Sequence, residues 1–430
     1  MDPTMDTEVA TIVNDVDPIT VEVIRNYYIA TANQMKSILI RASFNPVIYE
    51  MIDFSLGLYD RKAQLLAEGP ALPYFCGSLS FAIRNVINGY LTEGNLDDGD
   101  VVLSSYGYFT GAHPQDVTLI KPIFIEGNLF GYSACKAHWM DIGAGDIYGV
   151  STTDCWQEGL QIYGAKVKKR GEYDNEIMEI LRANTRVPDG VMGDLHGQIA
   201  AIEYGAKRVG ELIEKYGKDT VELAVARFLD HGEQLARKAI VEMPDGEWSA
   251  EGFMDDNGIT SDPVPIKLTV KKQGDELIMD TTGSASVQAG PTNCPYASTV
   301  SICRLVMKMI TTPLNASNEG HFRPLKVIAP EGSIFNPKPP AALFLYGWPA
   351  MVLGQLAFKA LSQAAPERVV TGTGGDLTFV LFSGVDPVDG TFFASGADEA
   401  CGGGASIDRD GENALIDMWW GNLKMCRSRS

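Results

Sequence analysis

The sequence contains little histidine, no closely paired cysteines and no long apolar run. Its seven cysteines are an odd number and include no C-x-x-C pair, which predicts neither a disulfide framework nor a structural zinc site. We expect these thiols to be reduced and mainly buried. No run approaches the roughly 20 apolar residues of a membrane-spanning helix, and the acidic N-terminus lacks the build of a signal peptide. These absences predict a cytoplasmic protein.

Basic residues are also in short supply, with 35 Lys and Arg against 55 Asp and Glu and a formal net charge of -20. Such a charge repels phosphate backbones and anionic lipid headgroups, so we expect neither nucleic-acid nor membrane partners. The chain has no G-x-x-x-x-G-K-[ST] loop, and its Gly143 to Gly149 stretch misses the G-x-G-x-x-G spacing by one residue. A nucleotide site in this chain is therefore unsupported.

The sequence can form a large hydrophobic core, because 45% of its 430 residues are hydrophobic. Apolar stripes with helical spacing alternate irregularly with strand-like segments, which favours an α+β fold of mixed multi-strand sheets with flanking helices in two main parts. We predict an N-terminal extension over residues 1–16 and an α+β domain over 17–242, which contains the candidate metal ligands described below. A second α+β domain with glycine-rich loops is predicted over 243–430.

Two of the five histidines lie in a segment that predicts a β-hairpin. The candidate strands are joined by residues 126–128 (Glu-Gly-Asn), read here as a three-residue loop with glycine. In that register the numbers of paired residues sum to 254, so Asp116 faces His138. Directly opposed residues lie about 4.5–5.5 Å apart at Cβ on the same side of a sheet, a spacing that suits two ligands of one ion. His113 lies at the strand entry and can turn toward the same point.

Two imidazoles and a carboxylate that leave positions open are typical of catalytic zinc, manganese or iron(II). The alternative is that these are hydrogen-bonded histidines in a polar pocket, since both residue types also frequent strand ends.

Further carboxylates are candidates for the same site. Asp53 begins an apolar strand and could bind the metal, although a helix cap is the commoner explanation for such a residue. Glu50 lies one helical turn earlier. Asp141, Asp146 and Glu158 could support the ligands or accept a proton, each on a weak signal.

Several separated motifs, in order along nearly the whole chain, resemble the hydantoinase B/oxoprolinase family. They are DPITVEVIRNYY, FNPVIYEMIDFS, GAHPQDVTLIKPIF, KAHWMDIGAGD, WQEGLQI, VMGDLHGQIAA, the segment from Asn318 through FRPLKVIAPEGSIFNPKPPAA, and PERV.

The resemblance implies one subunit of an ATP-dependent enzyme that opens a cyclic amide such as a hydantoin, 5-oxoproline or a lactam. ATP is used by a separate hydantoinase A-type partner subunit, which phosphorylates the substrate oxygen. The family's divalent metal ligands fall here on Asp53, His113, Asp116 and His138. From their positions in the sequence, Asp141 and Glu50 are our candidate catalytic carboxylates. The metal would be zinc, manganese or iron, activating water against the phosphorylated substrate.

Two departures from the family pattern keep other functions open. Pro114-Gln115 and His138-Trp139 stand where many hydrolase members have Leu-Pro and paired histidines, which is closer to ketone carboxylases. The alternative function is thus the metal-bearing subunit of an ATP-dependent acetone- or acetophenone-type carboxylase. Family members usually continue beyond the glycine-rich segment, so the resemblance also implies a shortened C-terminus. A non-catalytic scaffold subunit is the third possibility.

Overall fold

The computed structural model describes residues 16–372, 379–398 and 402–413. The predicted N-terminal extension, apart from its last residue, lies outside these ranges. So do residues 373–375 of a predicted glycine-rich turn, the C-terminal tail from 414 onward, Cys401 and Cys426.

Ten α-helices lie within the described ranges. They are α1 Pro18–Ala42, α2 Pro46–Tyr49, α3 Pro73–Cys76, α4 Leu79–Ile83, α5 Gly107–Thr110, α6 Asn175–Ala183, α7 Pro188–Tyr216, α8 Lys218–Val241, α9 Tyr296–Thr311 and α10 Gly347–Leu361. Shorter helical segments are a π-helix, Arg84–Leu91, and 3-10 turns at Glu93–Asn95, Cys155–Glu158, Glu319–Phe322 and Pro366–Arg368.

The described ranges contain thirteen strands. They are β1 Phe54–Asp60, β2 Leu65–Gly69, β3 Val101–Ser104, β4 Asp116–Ile125, β5 Asn128–His138, β6 Ala165–Lys169, β7 Glu172–Tyr173, β8 Gly246–Met254, β9 Val264–Gln273, β10 Glu276–Asp280, β11 Leu325–Ile328, β12 Phe379–Val385 and β13 Phe392–Asp398. This mixture of helices and sheets confirms the predicted α+β class.

A seven-stranded antiparallel sheet organises the N-terminal part, in the order β2-β1-β5-β4-β3-β6-β7. One face carries a large apolar core shared with α1, α7 and α8, to which β5 contributes Cys135 and Ala137. Because side chains alternate along a strand, the even-numbered residues of β5 from 132 to 138 point to the other face, where Ala134 joins a smaller core. The two faces of the sheet therefore pack against different cores.

Beyond residue 242 the chain forms a four-stranded sheet, β11-β10-β9-β8, against which α9 and α10 pack. Its core also takes up Phe75 and Ala112 from the N-terminal part, so the two parts meet across a buried seam. The division at residues 242 and 243 as a domain boundary stays a prediction.

Local sequence signals explain several element bounds. Asp17 caps α1 by accepting from the backbone N–H groups of Ile19 and Thr20, with Pro18 at the first helical position. Gly217, at φ +79°, ends α7. The alternating pattern of residues 263–280 predicts a second hairpin with its turn near residues 273–275, and this is confirmed, since β9 and β10 are joined at Gly274 and Asp275.

The predicted three-residue loop of the first hairpin was wrong. β4 and β5 are joined by two residues, Glu126 and Gly127, whose positive φ values of 51° and 75° are those of a type I′ turn. An irregularity then follows, because Phe124 pairs with Leu129 whereas Ile123 pairs with Gly131. The extra residue, Phe130, is a bulge in β5.

Four cysteines whose side chains the structure describes agree with the expectation of reduced, buried thiols. Cys135, Cys155, Cys294 and Cys303 are buried and form no disulfide. Among the helices that the structure describes, none is both long and apolar enough to cross a membrane.

Candidate metal centre

Three neighbouring strands bring three of the four predicted ligands side by side. Asp116 begins β4 and pairs with His138 at the end of β5. On the other side of β5, the backbone N–H of His138 donates to the carbonyl oxygen of Asp53, the residue before β1. Asp53 therefore precedes a strand and not a helix, and the helix-cap explanation does not apply to it.

His113 completes the cluster from the turn before β4. Its Nε2 atom lies 3.3 Å from Asp116 Oδ2, while His138 Nδ1 lies 3.1 Å from Asp116 Oδ1 and 3.8 Å from Asp53 Oδ2. One ligand atom each from His113, Asp116 and His138 can be chosen so that all lie within 4.8 Å of one another. The sequence-predicted ligands thus converge, although their role as ligands stays a prediction.

The donor set fits a divalent metal of the catalytic type. Two imidazoles and a buried carboxylate are suitable ligands for zinc, manganese or iron. The Nδ1 atom of His113 is buried and has no hydrogen-bond partner in the structure. The side chains of His113 and His138 are 9% and 10% exposed and that of Asp53 is 22% exposed, so the cluster opens to solvent on the Asp53 side.

Burial and mutual charge set the protonation of the cluster. Burial lowers the pKa of His113 to about 4, so its imidazole is neutral at pH 7. Burial opposes the charged form of Asp116, but the neighbouring His113 and the hydrogen bond with His138 outweigh it and lower its pKa. For His138, burial is outweighed by Asp116 and Asp53, and its pKa is raised. A neutral imidazole and an ionised carboxylate are the forms that bind metal.

The backbone around the first strand is held tightly. Ile52 adopts a left-handed φ of +58°, a costly conformation for a β-branched residue, directly before Asp53. Asn45 donates from its side chain to the carbonyl oxygen of His138. Asp194 on α7, whose pKa burial raises to about 6, accepts from the backbone N–H groups of residues 44 and 45. These contacts link the ligand strands to the helix layer.

A buried lysine lies beneath the cluster. Lys136 precedes His138 by two residues, which places it on the same face of β5, and it is fully buried. Its Nζ donates to Ser78 Oγ at 2.7 Å and to the carbonyl oxygen of Thr110 at 2.6 Å, above the ring of Phe75. Its positive charge contributes to lowering the pKa of Asp116. Strand alternation is the sequence signal that could have identified it.

The C-terminal part also reaches the cluster, which the sequence did not predict. Tyr346 donates from Oη to Asp116 Oδ2 at 2.8 Å, and the Phe344 ring lies 4.8 Å from that of His113. Each of them lies about 230 positions after the residue that it contacts, so neither motif spacing nor strand register could place them there.

Of the remaining predicted carboxylates, Glu158 contacts the C-terminal part directly. It is fully buried, and its Oε1 accepts from Thr152 and from the backbone N–H groups of Leu343 and Phe344. Burial raises its pKa to about 8. Glu158 thus anchors the chain segment that carries Phe344.

The two predicted catalytic carboxylates have different surroundings. Glu50 is exposed at the C-terminus of α2. Asp141 is fully buried, and it accepts from the backbone N–H groups of Gly143 and Arg186. Asp146 is exposed. The carboxylate of Asp141 is therefore occupied in holding two loops together.

Trp139, the residue after His138, points away from the cluster. Its side chain belongs to the core on the helix side of the sheet, where Nε1 donates to Gln198 Oε1 at 2.7 Å. Because adjacent residues of a strand point to opposite faces, the chemistry of this position is independent of the ligand set.

Comparison with known proteins gives a match over nearly the whole chain. The sequence profile of the family described as hydantoinase B/oxoprolinase matches residues 17–427. A protein of Pseudomonas sp. (strain NS671), provisionally named as the B-type subunit of a D-/L-hydantoinase, is 35% identical over 386 residues. That alignment covers 86% of this chain and 65% of the relative. The beta chain of the Pseudomonas jessenii caprolactamase is 28% identical, with 87% of this chain and 64% of the relative covered. The chain therefore spans about 65% of the length of these relatives.

Solved structures also match nearly the whole chain. The ATP-dependent caprolactamase of Pseudomonas jessenii superposes with a TM-score of 0.87 at 26% identity, over 96% of this chain and 71% of that one. A nucleotide-free acetone carboxylase superposes with a TM-score of 0.84 at 18% identity, over 96% of this chain and 58% of that one. At that identity the second likeness concerns the fold alone.

Proposed function

Because the chain belongs to the hydantoinase B/oxoprolinase family, we propose that it is the metal-bearing catalytic subunit of an ATP-dependent amidohydrolase. The substrate is a cyclic amide of the hydantoin, 5-oxoproline or lactam type, activated by phosphorylation in a hydantoinase A-type partner subunit. The observation that supports this most is the convergence of the buried His113, Asp116 and His138 near the ends of two paired strands, beside the partly exposed Asp53. The names of the relatives, which are those of single subunits, support a partner chain.

In this proposal Asp53, His113, Asp116 and His138 hold a divalent metal. The metal, when bound, supplies a Lewis acid that lowers the pKa of water and polarises an oxygen of the substrate. The protein's own residues fix the ligands, through strand pairing and the Tyr346 hydroxyl. The more exposed side of Asp53 gives the substrate access. Glu50, exposed and three residues before Asp53, is the proposed proton acceptor, whereas the contacts of Asp141 favour a supporting part.

The metal content of the purified protein tests the first half of the proposal. We expect about one zinc, manganese or iron per chain in the wild type, by inductively coupled plasma mass spectrometry, and its loss in Asp116→Ala and His138→Ala. His196→Ala is the matched control, because His196 is exposed and packs on Tyr173 away from the cluster. A folded wild type that stays metal-free after loading would contradict the proposal and favour a scaffold subunit.

The reaction itself is tested with the partner subunit present. Hydantoin, 5-oxoproline and a lactam are each incubated with ATP, and ring-opened product and ADP are measured. We expect ring opening that requires ATP and does not require bicarbonate. The fold shared with acetone carboxylase makes a ketone the second substrate class to assay. Product formation only from a ketone with bicarbonate would replace the hydrolase by the carboxylase.

A further inference from the structure

Tyr346 brings the C-terminal part of the chain into contact with a candidate ligand. It directly precedes α10 and is almost completely buried, and its ring stacks on Tyr74 at 5.7 Å between centroids. Its hydroxyl donates to Asp116 Oδ2 across a sequence separation of 230 residues. A buried phenol held this way by packing has one preferred direction for its hydroxyl.

The carboxylate of Asp116 has three polar neighbours on its two oxygens. Oδ1 lies 3.1 Å from His138 Nδ1, whereas Oδ2 lies 3.3 Å from His113 Nε2 and 2.8 Å from Tyr346 Oη. Both imidazoles are candidate ligands, and a ring nitrogen that binds a metal no longer hydrogen-bonds to Asp116. The imidazoles therefore do not prevent the carboxylate from rotating about its Cβ–Cγ bond. The tyrosine is the neighbour on Oδ2 that is not a candidate ligand, so its hydrogen bond limits that rotation.

The segment before Tyr346 is anchored by contacts that do not involve Asp116. Glu158 Oε1 accepts from the backbone N–H groups of Leu343 and Phe344 at 2.7 and 2.6 Å. The Phe344 ring in turn lies 4.8 Å from that of His113. The position of the tyrosine hydroxyl is therefore set by contacts that do not depend on Asp116.

We propose that Tyr346 is a positioning residue that orients the carboxylate of Asp116 for metal binding, so that the C-terminal part tunes a site whose ligands all lie in the N-terminal part. This inference rests on the proposed metal-bearing function. It predicts that the affinity and the ligand geometry of the site both depend on one hydroxyl group contributed from across the seam.

Tyr346→Phe removes that hydroxyl and keeps the ring. Zn²⁺ affinity is measured by competition with a chromophoric chelator, and ligand geometry by the visible absorption spectrum of the Co²⁺-loaded protein. We expect Tyr346→Phe to bind Zn²⁺ about 10–100-fold more weakly and to change the Co²⁺ spectrum. Tyr28→Phe is the matched control, because Tyr28 is as buried as Tyr346 but lies in the helix-side core, on the other face of the sheet from Asp116 and His138. Its affinity and spectrum should equal those of the wild type.

The outcomes separate this inference from the function on which it rests. Equal Zn²⁺ affinity and an unchanged Co²⁺ spectrum in Tyr346→Phe would overturn the positioning role while leaving the metal site in place. A lower melting temperature of the metal-free variant with unchanged affinity would also overturn it, since the hydroxyl would then only stabilise the fold. A wild type that binds neither ion would overturn the metal-bearing function, and the positioning role with it.

Discussion

At the scale of single residues, Glu158 is fully buried and accepts hydrogen bonds from the chain segment that carries Phe344. Burial raises its pKa from an ordinary 4.5 to about 8. Between these values the folded chain holds a proton that the unfolded chain has lost, so its contribution to stability decreases as the pH rises through this interval. The free energy of unfolding should therefore decrease toward alkaline pH, and the protonation of Glu158 should contribute to that decrease.

Glu158→Gln should remove this dependence, because the amide keeps an acceptor oxygen but does not titrate. We expect the free energy of unfolding in urea, compared at about pH 5.5 and about pH 8, to fall by about 1–3 kcal/mol more in the wild type than in the variant. Asp146→Asn, which changes an exposed carboxylate of the same region, should keep the wild-type slope. Equal slopes in the wild type and Glu158→Gln would show that Glu158 stays ionised throughout.

The sequence predicts the ligand cluster better than its surroundings, for a physical reason. His113, Asp116 and His138 are polar residues of scarce or charged type on one predicted hairpin, and strand periodicity places two of them opposite each other. Tyr346 leaves no such trace, because its position depends on how two distant segments pack. Residue type and local period therefore indicate the ligands, and only the tertiary structure shows what orients them.

At the scale of elements, the first hairpin reached the predicted register by a different route. A three-residue loop and a two-residue turn followed by a one-residue bulge both make paired numbers sum to 254 at the site. The bulge residue, Phe130, adds to β5 the residue that the shorter turn removed. Asp116 therefore faces His138 in both cases. Pattern analysis could not separate these two solutions, because each preserves the alternation of the strands.

Deletion of Phe130 tests this compensation. Without the bulge, residues 131 to 138 keep their present partners in β4, so the ligand cluster stays intact. We expect the variant to bind one metal per chain, as measured by mass spectrometry. Its free energy of unfolding should fall by about 1–3 kcal/mol, because the partly buried ring packs against the helix-side core.

The urea midpoint of the same variant provides the control for folding. A folded variant that has lost its metal would contradict the register, since it would mean that the bulge itself holds Asp116 opposite His138. A variant as stable as the wild type would instead contradict the packing role of the Phe130 ring.

At the scale of the whole molecule, metal binding should stabilise the chain as a unit, because the cluster touches both parts of the structure. A ligand that binds only the folded state adds about 2.7 kcal/mol at a hundred times its dissociation constant. We expect Zn²⁺ to raise the melting temperature of the wild type by a few degrees and a chelator to reverse it. His138→Ala should not respond to either addition.

A melting temperature that is unchanged by metal in the wild type would contradict this linkage, provided that mass spectrometry shows the metal to be bound. A response in His138→Ala equal to that of the wild type would place the stabilising metal elsewhere. Short elements such as α3 and β2 carry too little periodic pattern to be predicted, whereas the α+β class, long helices such as α1 and α7, and the two hairpins could be predicted from periodicity and capping residues. The buried seam could not, because it joins residues with no shared pattern.

The central position of β5 has a kinetic consequence. This strand lies between β1 and β4, hydrogen-bonded on both edges, with a core on each face. Its amides should exchange with solvent only in the rarest openings of the chain, whereas loops and edge strands open far more often. An ion held at its end cannot leave by local fraying of the strand. Its residence time should then be set by the movement of Asp53, the most exposed of the four side chains.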